Sequence, residues 1–202
     1  VKGYDLGLPI ETERMTIRAL RAADGPDIHA IFADPEVSRY LYTEPLDAAG
    51  ALTYATERSN PVISVEGQGV NLAGELRETG RVVATFFIKL SSEKHAQGEI
   101  GYVVSPSYAG RGLASEGATA MLSIGFDRWD LHRMIGQCDA RNAASAGVMR
   151  RIGMRQEALL RENEWTKGEW TDELIFAMLA EEWNRRGARG GADGERGVEE
   201  RA

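Results

Sequence analysis

Between residues 99 and 139 an apolar stretch, a glycine-bearing loop, an amphipathic segment and a second apolar stretch follow one another. Glu99 to Ser105 reads as a strand. Ala109-Gly110-Arg111-Gly112-Leu113-Ala114 then opens a helix whose apolar face recurs at three- and four-residue steps through Ala118, Met121, Leu122, Gly125, Phe126 and Trp129. Arg133 to Asp139 is a further strand. Strand, crossover helix and strand make two parallel neighbours, with small residues on the helix that let it pack closely on the sheet.

The turn between that strand and that helix suits an anion. A first helical turn leaves about four backbone N–H groups unpaired and carries roughly half a positive charge. Gly110 and Gly112 let this backbone approach a phosphate and adopt dihedrals that other residues adopt only at a cost. No glycine run is followed by Lys and then Ser or Thr, which argues against a Walker A loop. The dinucleotide pattern G-x-G-x-x-G/A fails where Ser115 stands, and one clear crossover falls short of the repeated units that fold needs. On the loop alone, a connector without a ligand stays open.

Of 202 residues, 43% are hydrophobic and 27% charged, which suits one domain over 1–186. From about Gly187 the chain turns to glycine and charge, so 187–202 reads as a disordered tail. The net charge of -7, with no basic run longer than Arg-Arg, argues against nucleic acid as a partner and leans weakly toward cationic amines. One cysteine, Cys138, allows no internal disulfide and reads as a small apolar strand residue in a reducing compartment. No apolar run approaches the roughly 20 residues of a membrane span, and Val1 to Asp5 lacks a signal core, so the expected setting is cytoplasmic, without membrane partners. His29, His95 and His132 share no ligand spacing, so no metal is expected.

Elsewhere, Met15 to Leu20 alternates as a strand, Ala22 to Ala33 is a helix, Asp34-Pro35-Glu36 breaks it, and Asp47 caps a helix reaching Arg58 with Ala48, Leu52 and Ala55 inward. Residues 59–69 carry no clear pattern. Asn71 to Arg77 and Arg81 to Leu90 flank a turn at Glu78-Thr79-Gly80. Asn142 caps a short helix that ends at Gly153, and Gln156 to Trp165 pairs with Trp170 to Met178 as a closing hairpin, Trp165 and Trp170 read as packing residues.

Taken in order, these motifs resemble the GNAT superfamily of acyl-CoA-dependent N-acetyltransferases, whose signature Q/R-x-x-G-x-G/A is met by Ala109 to Ala114 except at the first position. The wider pattern is similar to the ribosomal-protein alanine N-acetyltransferases. It rests on Glu99-Ile100-Gly101-Tyr102, Arg141-Asn142-Ala143-Ala144-Ser145, Gly153-Met154, Leu160-Arg161-Glu162 and Gly168-x-Trp170-x-Asp172, and covers about Arg14 to Trp183. The resemblance implies an α/β fold of α+β type, a mixed, mainly antiparallel twisted sheet flanked by helices with one parallel crossover at the cofactor site. It implies transfer of acetyl from acetyl-CoA to a primary amine by direct attack, foremost to a protein N-terminal α-amine. A small-molecule amine or a non-catalytic acyl-CoA-binding module are the alternatives, and a homodimer is compatible with the family.

By the same resemblance the backbone of Ala109, Gly110, Arg111, Gly112, Leu113 and Ala114 cradles the cofactor, with one side-chain wall missing at Ala109. Free backbone groups of Tyr102, Val103 and Val104 pair with the pantetheine, and Asn142 caps its helix, bonds that arm, or both. Glu99 is the candidate base, against a reading as a strand-edge charge. Ser145 is the candidate donor to the departing thiolate, against a hydroxyl bonded back to Asn142 or Arg141. The attacking amine must be neutral: a lysine amine is about one part in a thousand neutral near pH 7.4, an α-amine roughly a quarter, a difference of about 3 to 4 kcal/mol in what a site must supply.

Overall fold

Apolar side chains fill both faces of the central strands of one sheet, and the two faces are covered by different helices. The computed structural model describes residues 4–186; the tail expected over 187–202 lies outside the described residues. The strands are β1 (Ile10–Glu11), β2 (Met15–Ala19), β3 (Gly69–Leu76), β4 (Arg81–Ser92), β5 (Gln97–Val104), β6 (Arg133–Asp139), β7 (Arg155–Thr166) and β8 (Glu169–Leu179). They form one sheet in the order β1-β2-β3-β4-β5-β6-β8-β7, antiparallel throughout except for β5 beside β6. The mixed, mainly antiparallel sheet with one parallel crossover is therefore present. The helices are α1 (Gly25–Phe32), α2 (Pro35–Ser38), α3 (Ala48–Glu57), α4 (Leu113–Ser123), α5 (Ala143–Arg151) and α6 (180–186). No helix among the described residues is long and apolar enough to cross a membrane.

On one face α4 and α5 close the larger core, in which Phe86, Ile88, Ile100, Met134, Met149 and Phe176 are buried. Burying each such side chain contributes about 1.5–3 kcal/mol relative to leaving it exposed. Gly117 sets how closely α4 can approach: a Cβ there would stand 2.0 Å from the ring of Phe86. On the other face α1 and α3 pack Ile28, Ile31, Phe32, Ala51 and Ala55 over Ala73 and Val82. A bulge between Gly74 and Glu75 turns β4 over, so Val82 faces α1 while Val83 and Ala84 face the α4 side.

A buried ion cluster fixes the entry to α1. Both guanidinium Nη atoms of Arg18 donate to Asp24 at 2.8 Å and Nε donates to Glu75 at 2.7 Å, tying β2, β3 and the turn before α1 together. Asp47 caps α3 by accepting from the Gly50 amide at 2.7 Å, as expected. Two expectations are corrected. Ala48 is exposed and Leu52 is 49% exposed, because α3 turns Ala51 and Ala55 inward instead. Trp165 and Trp170 are more than half exposed at the tip of the β7–β8 hairpin, packing edge-on against each other at 5.4 Å rather than into the core.

Candidate active site

Beside the single parallel pair the sheet comes apart. β5 and β6 are in register only from Gln97↔Arg133 to Ile100↔Gly136. Beyond that point β5 follows β4 to Val104↔Ala84, and β6 follows β8 to Asp139↔Glu173. Gly101 to Val104 and Gln137 to Asp139 thus face a wedge across which they make no ladder, and an unpaired strand edge can accept an extended ligand as an added strand. The side chains of Tyr102 and Val104 lean on the α4–α5 core and that of Val103 on the α1–α3 core, leaving their backbone to face the wedge.

The carboxyl ends of both parallel strands lead to helices that start at the wedge mouth, the place where open sheets of this kind bind ligands. After β5, Gly110 and Gly112 have φ of +72° and +80°, and Gly112 is the residue before α4, with no side chain capping its amides. A Cβ at Gly110 would meet no other atom within 4 Å, so the loop is open on that side. Left-handed backbone, uncapped amides and an adjoining free strand edge fit a pyrophosphate followed by a pantetheine arm. Ala109 is extended, and Leu113 is buried, so that its side chain anchors the helix and only its backbone faces outward. Arg111 lies over the Tyr108 ring at 5.4 Å.

After β6, Asn142 caps α5: its Oδ1 accepts from the Ser145 amide at 2.9 Å. The Tyr102 hydroxyl donates to the Ser145 carbonyl at 2.9 Å and lies 3.1 Å from Ser145 Oγ. Burial pushes the Tyr102 phenol up to about 12, although its bond to Ser145 pulls the other way. Burial likewise raises the neighbouring Cys138 thiol, and a hydrogen bond from Ser145 opposes that rise. Ser145 Oγ therefore faces two groups that stay protonated near neutral pH.

Carboxylates gather on the opposite face, beneath α1 to α3. Glu99 on β5 stands across from Lys89 on β4, with Nζ 3.3 Å from Oε2. Glu173 on β8 is buried and accepts from Asn163 Nδ2 at 2.9 Å. Burial raises its pKa, and the nearby Glu164 and Glu99 raise it further. Tyr42 is 66% exposed, and its phenol is shifted upward by desolvation at its hydroxyl end and by the neighbouring Glu164. A pocket beside them has lining of both charges, with Asp139, Glu164 and Glu173 facing Arg39, Arg141 and Lys167. Arg141 holds Asp139 with Nη2 at 2.7 Å and Glu169 with Nη1 at 2.8 Å, and the Asp139 carboxyl lies below its usual range because Arg141 donates to it.

Of the residues picked out from sequence, the structure brings Tyr102, Asn142 and Ser145 together at one lip of the wedge, sets Ala109 to Ala114 at its mouth, and sets Glu99 on the face away from Ser145. Sequence reasoning missed Tyr42, Glu164 and Glu173. Glu173 carries a signal, being a charge set against the apolar run Leu174-Ile175-Phe176; Tyr42 and Glu164 reach the site through a loop and a bulged strand and carry none.

A split parallel pair with a glycine loop and two helix starts at its open end defines an acyl-CoA-dependent acyltransferase. A family model described as an acetyltransferase (GNAT) domain matches residues 14–155, and the chain belongs to that family, whose members transfer acetyl from acetyl-CoA. The uncharacterized N-acetyltransferase YnaD of Bacillus subtilis is 34% identical over 175 residues, spanning 87% of this chain and 99% of YnaD. The crystal structure of a GNAT-family acetyltransferase from Bacillus anthracis superposes with a TM-score of 0.76 at 29% identity, covering 85% of this chain and 98% of that one. Spermidine N(1)-acetyltransferase of Escherichia coli is 22% identical over 174 residues, 83% of this chain and 87% of that enzyme.

Proposed function

We propose that this acetyltransferase acts on the α-amine of a polypeptide N-terminus, with Glu99 on the proton-accepting side and Ser145 on the thiolate side. The observation that carries the reading is the placing of these two groups on opposite faces of the sheet where the parallel pair ends, Glu99 one residue before the last β5–β6 pair with the carboxylates of the acceptor face, and Ser145 at the start of α5. The amine nitrogen attacks the thioester carbonyl, forming the C–N bond as the C–S bond breaks. Its proton passes to a carboxylate directly or through water, and Ser145 donates a proton to the sulfur and is reprotonated from solvent. Wedge-facing backbone N–H groups of β5 polarise the carbonyl.

Carboxylates are weak bases near pH 7, adequate for an α-amine that is about a quarter neutral and poorly matched to a lysine-like amine needing roughly 3 to 4 kcal/mol more. That comparison favours the N-terminus. A second reading, a small polyamine, is favoured by the acidic acceptor face of Glu99, Glu164 and Glu173 and by the likeness to the spermidine enzyme. Release of CoA thiol, measured with acetyl-CoA against a panel of N-terminal peptides, polyamines and aminoglycosides, decides between them. Turnover confined to peptides with a free α-amine supports the first reading. Turnover confined to polyamines replaces it with the second, and binding of acetyl-CoA without turnover on any amine overturns both.

A further inference from the structure

We propose that Arg14 and Glu116 form a clamp that presets the cofactor loop, acting as positioning residues rather than as contacts to acetyl-CoA; the proposal rests on the reading of Gly110 to Gly112 as the pyrophosphate cradle. Glu116 sits one turn into α4 and its carboxylate is almost fully used. Oε1 accepts from Thr12 Oγ1 at 2.6 Å and from the Arg14 amide at 2.7 Å, while Oε2 accepts from Arg14 Nε at 2.7 Å. The same guanidinium donates through Nη1 to the carbonyl of Arg111, the residue between the two left-handed glycines. The chain entering β2 is thereby bolted to the first turn of α4 and to the loop before it.

A peptide unit is planar and trans, so its C=O and N–H point in opposite directions. Once Arg14 holds the Arg111 carbonyl, the Gly112 N–H of that same unit points away from Arg14, free of any intramolecular acceptor on that side. The freedom of Gly112, on one side of this unit, would otherwise let it rotate. Gly112 also makes room for the clamp, since a Cβ there would lie 3.2 Å from Arg14 Nη2. The carboxylate of Glu116 matters for a second reason: it answers the charge of Arg14 at 2.7 Å, so the guanidinium is engaged with the protein instead of with an incoming phosphate. Burial alone would raise the pKa of Glu116, but the bonds from Thr12 and Arg14 outweigh it and leave the carboxyl below its usual range, ionised at neutral pH.

Calorimetry with acetyl-CoA and initial-rate kinetics on Glu116→Gln and Arg14→Lys test the clamp. In Glu116→Gln the amide NH2, whichever way it turns, meets an Arg14 N–H, either the backbone amide or Nε–H, and breaks that side of the clamp. We expect the KM for acetyl-CoA and its Kd to rise about tenfold, with kcat at saturating acetyl-CoA changed less than about twofold and the KM for the amine unmoved. Arg14→Lys keeps the charge but lacks the planar fork that spans Glu116 and the Arg111 carbonyl, and it should lose as much. Because the Arg14 side chain is 41% exposed, this second variant is expected to fold even where the first fails. The double variant should be no worse than either single one. Tighter acetyl-CoA binding in Glu116→Gln, or full retention in Arg14→Lys, would make Arg14 a direct charge contact and overturn the clamp. Wild-type binding matched by both variants overturns the clamp and leaves the loop reading intact, whereas a wild-type protein that binds no acetyl-CoA removes both.

Discussion

The phenol of Tyr102 and the first turn of α5 are joined at Ser145, whose carbonyl accepts from the phenol at 2.9 Å and whose Oγ lies 3.1 Å from it. A side chain of the strand that edges the wedge thus fixes the orientation of the hydroxyl across from it. With the phenol pushed up to about 12, Tyr102 keeps its one proton on the Ser145 carbonyl across the working pH range, and its oxygen is left to accept from, and so orient, the Ser145 hydroxyl.

Ser145→Ala should reduce the rate of acetyl transfer by roughly ten- to a hundredfold while the fold suffers little, since Ala favours helix. A thioester with a less basic leaving thiol should recover much of the deficit. Tyr102→Phe keeps the Ser145 hydroxyl but frees its orientation, and should give a smaller loss with the same thioester dependence. Equal deficits with both thioesters would remove the proton-donor role and leave Ser145 as a contact.

Gly112→Val should weaken acetyl-CoA binding by at least about 1.4 kcal/mol, a factor of ten, because a branched residue resists a φ of +80° and crowds the Arg14 guanidinium. Calorimetry on a variant with an unaltered circular dichroism spectrum measures it. Unchanged affinity would reduce the loop to a connector.

Glu99→Gln should lower turnover more than it lowers acetyl-CoA affinity, and the deficit should shrink as pH rises and the amine deprotonates unaided. A deficit that is constant with pH points to positioning of the amine, and full activity at every pH returns Glu99 to the role of a partner for Lys89.

Glu173 titrates above the usual carboxylate value in the native state, first because it is buried and then because Glu164 and Glu99 are near. The native state therefore holds that proton more tightly than the unfolded chain does, and stability falls as pH rises from the ordinary carboxylate range, about 4.3, through the raised native value. Glu173→Gln retains an acceptor for Asn163 and discards the charge. Its Tm should match the wild type near pH 3.5 and exceed it at pH 8. A Tm difference of equal size at both pH values would mean that the charge is not the source of the penalty.

Gly117→Ala should destabilise the protein by about 1–3 kcal/mol, since the added methyl must displace Phe86 or lift α4 from the sheet. Denaturant unfolding reads the change, and wild-type stability would mean that the ring moves aside freely.

The crossover at 99–139 was legible because three local signals coincide there: strand alternation, a glycine turn and a 3.6-residue apolar period. The Asn142 cap was legible because an N-cap bond reaches only three residues, to Ser145. The acceptor face was not. Glu99, Glu164 and Glu173 meet because β8 is inserted between β6 and β7, an order no local pattern encodes, and because Arg161 to Asn163 leave the β7 ladder in a bulge. The pairing of Thr12 and Arg14 with Glu116 spans about a hundred residues and has no period to read. Trp165 and Trp170 misled because large aromatic side chains on strands read as core, whereas both sit at the hairpin tip, separated from Leu160 and Leu174 by runs of polar residues.

Only four residue pairs stitch β5 to β6, against eight between β4 and β5. The sheet is therefore two panels, β1 to β5 and β6 to β8 with β7, joined by a short seam and by the helix that crosses from one to the other. A ligand lying along the seam would act as a suture. Its binding should then appear as slowed amide exchange on both panels at once, with Gly101 to Val104 and Gln137 to Asp139 responding together although no hydrogen bond of the protein's own connects them.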